Sequence, residues 1–208
     1  MGEISWWLFI AASLILIATP GQDMILVMSR SVAQGAAAGV ATAAGVSVGL
    51  VGHTALASLG LGALLRASEW LFVALKLVGA AYLVYLAFGL LRTRQGDLAL
   101  AAASRRSLPR LFVDGALSNL SNPKIAIFYF AFLPQFVITD GGHTTLQLLA
   151  LGLLFAALTF LVKAPVGISA GALSAWLRRR PRVLLWLYRS SSVVLLALGV
   201  RLAFERRN

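Results

Sequence analysis

Two short segments concentrate the side chains of this 208-residue chain that can do chemistry. Thr19–Pro20–Gly21–Gln22–Asp23 groups a hydroxyl, an amide and a carboxylate around a proline and a glycine. Asn119–Leu120–Ser121–Asn122–Pro123–Lys124 groups two amides and an ammonium around a second proline. Both lie in otherwise apolar runs. A helix broken in such a run frees backbone N–H and C=O groups that hydrocarbon cannot satisfy, so breaks occur where they face protein or water. A fresh helix N-terminus presents unpaired N–H groups and a partial positive charge. Two such ends can hold the carboxylate of a zwitterion, with Asp23 placed to meet its ammonium and Lys124 standing in the partner motif.

The residue types predict how each break is capped. Thr19 is a good N-cap, with Pro20 at the first helical position and Gln22 at the third, closing a capping box. Asn122 is a good N-cap for a helix beginning at Pro123. A cation at a helix N-terminus is unfavourable, so Lys124 requires a counter-charge, a substrate anion or water; Asp23 and Asp114 are the candidates for the counter-charge. Ionisable residues within membrane spans are functional candidates by default, which adds Lys76 and Asp114 to Thr19, Pro20, Gly21, Gln22, Asp23, Asn119, Asn122, Pro123 and Lys124. For Lys163 a buried role and a snorkelled one both stay open. His53 reads as an interhelical hydrogen bonder.

The elements that must position these residues follow from composition. Sixty per cent of the chain is apolar and 12% is charged, against about a quarter charged in an ordinary soluble domain. The missing charge indicates an all-α integral membrane protein. About six spans fit, near residues 4–27, 39–64, 70–91, 111–136, 145–173 and 184–204, each roughly 20 residues or longer. They form one transmembrane domain over 1–208, with a basic loop at 92–110 between a first half (4–91) and a second half (111–204). Thr19 and Asn122 stand 103 residues apart, close to half the chain. Three spans on either side of the loop give halves of opposite orientation, and matched interruptions in two halves point to an inverted-repeat transporter and its binding site. Gly35, Gly39, Gly45, Gly49 and Gly52 have the small-residue spacing of close helix packing, and Trp6, Trp7 and Trp70 sit where interfacial anchors belong.

Other chemistries find little support. The chain has no cysteine and only His53 and His143 for imidazole, so neither a thiol relay nor an ordinary metal site is expected. No nucleophile triad, phosphate loop or cofactor motif is present, and neither an enzyme nor a cofactor is expected. The net charge of +11 lies mostly in short loops, where it orients the chain in lipid rather than recognising nucleic acid. The N-terminus lacks the positive region of a secretory signal and reads as a retained first span.

Thr19–Pro20–Gly21, Gly79–Ala80–Ala81–Tyr82–Leu83, and Asn122–Pro123–Lys124 followed by Phe128 and Leu133–Pro134–Gln135–Phe136 together resemble the LysE/RhtB family of amino-acid exporters. The resemblance runs in order and spacing over nearly the whole chain. It implies a secondary exporter of an amino acid in the bacterial inner membrane, driven by the proton-motive force and often dimeric. One departure is Gln22, where family members usually carry a second proline; Asp23 fits the asparagine or aspartate that usually follows. Export of another small solute or ion, a channel, and a structural membrane subunit are the alternatives.

Orientation follows from the arginines. With the N-terminus outside, the loops after spans 1, 3 and 5 hold ten: Arg30, Arg92, Arg94, Arg105, Arg106, Arg110, Arg178, Arg179, Arg180 and Arg182. The outer segments hold four: Arg66, Arg201, Arg206 and Arg207. The positive-inside rule favours this arrangement, with both termini periplasmic. Reporter fusions at Gln95 and Ser174 should therefore read cytoplasmic and one at Gly141 periplasmic; a cytoplasmic signal at Gly141 would overturn the map.

Overall fold

A computed structural model describes residues 6–19, 21–67, 69–92, 105–138, 143–179 and 181–204. All regular structure among them is helical. In chain order the α-helices are α1 (Trp6–Ala18), α2 (Gln22–Gln34), α3 (Ala36–Ala67), α4 (Glu69–Arg92), α5 (Leu108–Leu120), α6 (Pro123–Ile127), α7 (Thr144–Arg179) and α8 (Pro181–Phe204). Between α6 and α7 a π turn (Phe128–Phe132) runs into a 3₁₀ turn (Leu133–Phe136).

Most helix ends fall within a few residues of the expected ones, while α2 runs on to Gln34 and α7 to Arg179, and the reasons for the breaks are local. The axes of α1 and α2 differ by 53° at the first break. Gly35 separates α2 from α3 at φ 93°, a left-handed conformation that costs glycine little and other residues more. The second break lies between α5 and α6 at Ser121 and Asn122. Beyond it, the expected regular half-helix is replaced by five α-helical residues and the π and 3₁₀ turns. Pro134 has no N–H to continue the α ladder, and the widened turn spreads Phe128, Tyr129 and Phe132 into the interior. Among the described residues, two helices are long and apolar enough to cross a membrane, within 36–60 and 144–170, and three if α1 and α2 count as one bent span.

The arrangement of polarity is that of a protein surrounded by hydrocarbon. Leu59, Trp70, Val78, Tyr85, Leu161, Ile168 and Val193 face outward, while Asp23, Thr42, His53, Asn119 and Lys163 are buried. In water so much exposed apolar surface would be a liability. Phe9, Phe128, Phe132, Phe136 and Phe155 form an aromatic core on the side of the molecule built from α1, α7 and the π and 3₁₀ turns. Phe128 stacks on Phe155 at 4.4 Å and Phe9 meets Phe136 edge-on at 5.2 Å, geometries favoured by the ring quadrupoles.

Helix α3 is the central post. It packs against α5 and α7, α4 pairs with α8, and α2 lies against α3 and α7. Small residues set these distances. A methyl group at Gly45 would fall 1.9 Å from the Phe112 carbonyl oxygen, and one at Gly115 would fall 2.4 Å from that of Thr42. On the other side, Gly39 and Gly167 cross so closely that a Cβ at Gly39 would lie 2.8 Å from Gly167 Cα. Backbone contact of this kind is how helices associate in lipid, where no hydrophobic force draws them together. The glycine reading is thus met at 39, 45 and 49, while Gly35 serves as a helix stop. Gly45→Val and Gly115→Val must push α3 and α5 apart, and each should cost about 1–3 kcal/mol or more as overpacking does. Thermal melts of detergent-purified protein, followed by size-exclusion profile, check this.

Candidate transport site

The two breaks meet in the interior. Gly21, Gln22 and Asp23 from the first and Asn119, Asn122 and Lys124 from the second line one cavity with Thr19, Thr159 and Lys163. Leu16, Ile17, Met24, Leu50, Ile125 and Phe155 supply its apolar walls. The free space is about 20 Å³, room for roughly one water molecule. A larger guest needs the walls to part.

The first break is built differently from the sequence expectation. Thr19 is not the N-cap of α2 but belongs to the end of α1. Its amide and its hydroxyl both donate to the Ile15 carbonyl, at 3.0 and 2.7 Å. Back-bonding of this kind is open to any helical threonine, and here it satisfies a terminal carbonyl of α1. The N-cap is Gly21, in extended conformation and with no side chain to cap with. Gln22 therefore makes no capping box. Its amide donates to the carbonyl and hydroxyl oxygens of Ser118 on α5, at 3.4 and 3.1 Å. Pro20 lies outside the described residues. The second break follows expectation: Asn122 Oδ1 accepts from the Lys124 amide at 3.1 Å, and Pro123 opens α6. Its N-terminal N–H is thereby occupied, and the cation offered at this break is the side chain of Lys124.

The charges pair across the chain. Asp23, in the first turn of α2, suits the positive end of that helix. Its Oδ2 accepts from Asn119 Nδ2 at 2.8 Å and from Lys163 Nζ at 3.3 Å. All three side chains are buried. Lys163 is therefore the counter-ion of Asp23, in place of the Lys124 pairing that the motifs suggested. Lys124 Nζ reaches back to the Leu16 carbonyl near the end of α1, at 3.3 Å, and lies over Gly21, where an added Cβ would stand 3.7 Å away. The negative end of α1 thus receives the cation that the start of α6 disfavours.

Several acceptors stay unsatisfied. Asp23 Oδ1, Asn119 Oδ1 and Thr159 Oγ1 are buried with no hydrogen-bond partner among the described residues, a costly condition in an interior. Behind Asn119, His53 Nε2 stands 3.2 Å from the Asn119 carbonyl and its ring stacks on Tyr129. A carbonyl only accepts, so this nitrogen carries the hydrogen. The interhelical bonding role expected of His53 is the one it fills.

The chain belongs to the LysE type translocator family. The family model matches residues 14–206, which include every lining residue of the cavity. Membership places this translocator among transporters, not enzymes. It is 31% identical over 208 residues to an uncharacterized membrane protein of Pseudomonas aeruginosa, covering 98% of this chain and 96% of that one. It is 30% identical over 201 residues to the homoserine/homoserine lactone efflux protein of Salmonella typhimurium, covering 97% of each chain. A membrane protein of Bacillus subtilis is 34% identical over 142 residues, 64% of this chain and 67% of the relative. No solved structure matches.

Two candidates remain. Asp114 is not brought to the cavity as a counter-charge. It sits further along α5 with Arg30, Arg106 and Arg110 around it, at 3.7, 2.5 and 3.4 Å. Lys76 lies on α4, its side chain outside the described set. Thr159 and the pairing of Lys163 were missed. The signal for Lys163 was a lone charge in the apolar run before Pro165; for Thr159, one helical turn away, there was none.

The buried pair makes a prediction about stability. Lys163→Met strands a carboxylate and should cost about 3–5 kcal/mol. Adding Asp23→Asn should recover much of that, because the stranded charge is gone. A double-mutant cycle on thermal melts measures the coupling; additive losses would mean that the two side chains do not pair.

Proposed function

We propose that this translocator exports a small amino acid across the bacterial inner membrane, taking it up from the cytoplasm in the cavity between the two helix breaks. The observation that carries this reading is the chemistry of the cavity wall. On one side stand the unpaired oxygens Asp23 Oδ1 and Asn119 Oδ1, which call for an ammonium. On the other stands Lys124 Nζ, held only by the Leu16 carbonyl among the hydrogen bonds described, which calls for a carboxylate. An α-amino acid carries both groups on one carbon atom. The efflux protein of Salmonella typhimurium makes homoserine the first substrate to test.

The architecture proposed with this reading is six spans in two inverted halves, with both termini periplasmic. The pairing of α3 with α7 and α4 with α8 is what a two-fold relation between halves produces, since each helix meets its counterpart. The breaks then lie together at the middle, as in other inverted-repeat transporters. Alternating access follows by rocking one half against the other until the cavity opens to one side. The proton-motive force is the driving force and a dimer the assembly, both on the family resemblance.

Reconstituted vesicles test the reading. The wild-type protein should support homoserine counterflow, and a protonophore should stop uphill export. Asp23→Asn and Lys124→Met each remove a charge-assisted hydrogen bond to substrate, worth about 1.5–3 kcal/mol, so each should lower transport by at least about tenfold while the protein still inserts. Lys124→Arg should fail as well, because the guanidinium fork is larger and differently directed. Normal rates in both neutral variants would move the transport site elsewhere.

A further inference from the structure

The charges lining the cavity are unequal. Asp23 is the single acid among the described lining residues, and Lys124 and Lys163 are two bases. Of the two carboxylate oxygens of Asp23, Oδ2 is already held by Lys163 and Asn119. Oδ1 is left, enough for one ammonium group. The remaining polar wall is Thr19, Gln22 and Asn122, whose side chains are hydrogen-bonded within the protein, and the unpaired hydroxyl of Thr159. Thr159 and Lys163 are four residues apart on α7, and such residues share a helix face.

We infer that the cavity accepts amino acids whose side chain is uncharged and refuses those carrying a second ammonium, with Lys163 as the residue that sets this exclusion. The inference rests on the amino-acid reading of the site. A bound zwitterion adds no net charge to a wall that already carries one excess positive charge. A second ammonium would add another, close to Lys163 and Lys124, with no carboxylate in the described wall to receive it. Like charges in a desolvated site repel far more strongly than in water, and such juxtapositions are an effective means of rejecting a ligand. A side-chain hydroxyl meets no such penalty and offers a donor to Thr159.

The test uses two ligands of the same shape. L-homoserine and L-2,4-diaminobutyrate differ by a hydroxyl against an ammonium at one position. Counterflow of each is measured in vesicles containing the full chain at neutral pH. Homoserine should be carried at least about tenfold better, since like-charge contact in a desolvated site costs more than one factor of ten in affinity. Equal transport of the two would overturn the exclusion and leave the amino-acid reading standing; transport of neither would remove that reading and the inference with it.

Two variants then assign the exclusion. Lys163→Gln keeps an amide donor for Asp23 and removes the charge, so the preference for homoserine should fall toward unity. Thr159→Asp places a carboxylate one turn from Lys163 and should admit diaminobutyrate by the opposite route. The second variant decides the matter if the first does not run as a monodisperse protein. An unchanged preference in a well-folded variant would overturn the role of Lys163.

Discussion

The ion pair between Asp23 and Lys163 ties together the helices that line the proposed transport site. Asp23 belongs to α2, Lys163 to α7, and Asn119, which shares the same carboxylate oxygen, to α5. Asp23 is thus joined at one oxygen atom to partners 96 and 140 residues away along the chain. In a low-dielectric interior an unpaired charge is strongly destabilising, whereas a paired one fixes the relative positions of its partners. The pair does not complete its own hydrogen bonding, because Asp23 Oδ1 and Asn119 Oδ1 remain without protein partners in the described structure. A scaffold evolved for stability alone would close these valences. The proposed transport site would leave them for a guest.

That pair depends in turn on how closely the backbones approach. Helix α3 carries no charged member of the site, yet it sets the spacing of those that do. Gly45 and Gly115 let α5 lie directly on α3, and Gly49 faces Asn119 itself. Gly39 against Gly167, and Gly152 against Thr54, let α7 lie on the other side. The hydroxyl of Ser31 on α2 donates to the Gly167 carbonyl, adding a polar contact to the same seam. Side-chain bulk at any of these crossings would separate Asn119 from Lys163.

The two flanks of the cavity are unlike. Beyond α1, the π turn and the 3₁₀ turn pack aromatic rings against one another in a dry cluster. Along the seam of α2 and α5 the closure is polar. Gln22 bonds to Ser118 near the cavity, and at the far end the Gln34 side chain bonds the backbone of Arg106 in both directions, at 2.8 and 2.9 Å. The arginines around Asp114 lie at that same end. Ion pairs and the hydrogen bonds of side-chain amides exchange with water at modest cost, while an aromatic cluster does not, so the two flanks differ in what opening them requires.

The limits of the helices and the places where they break could be read directly from the residues. Charge-free runs of membrane length, Pro123 behind Asn122, the glycines of α3 and the lone polar motifs all act through near neighbours in sequence, and nearest-neighbour chemistry is what a sequence displays. The cavity residues on either side of the two breaks were found in this way. Thr19 marks where local reasoning reaches its end: a threonine before Pro–Gly can cap the next helix or back-bond the previous one, and the choice depends on which turn closes first. The partner of Asp23 was beyond such reasoning. Lys124 was the nearer cation by motif, but Lys163 is the one that the packing of α7 on α3 carries to within 3.3 Å. Asp114 went instead to the arginines at the other end of α5. Ion pairing in an interior is decided by which helices can approach, and that is a property of their packed surfaces rather than of distance along the chain.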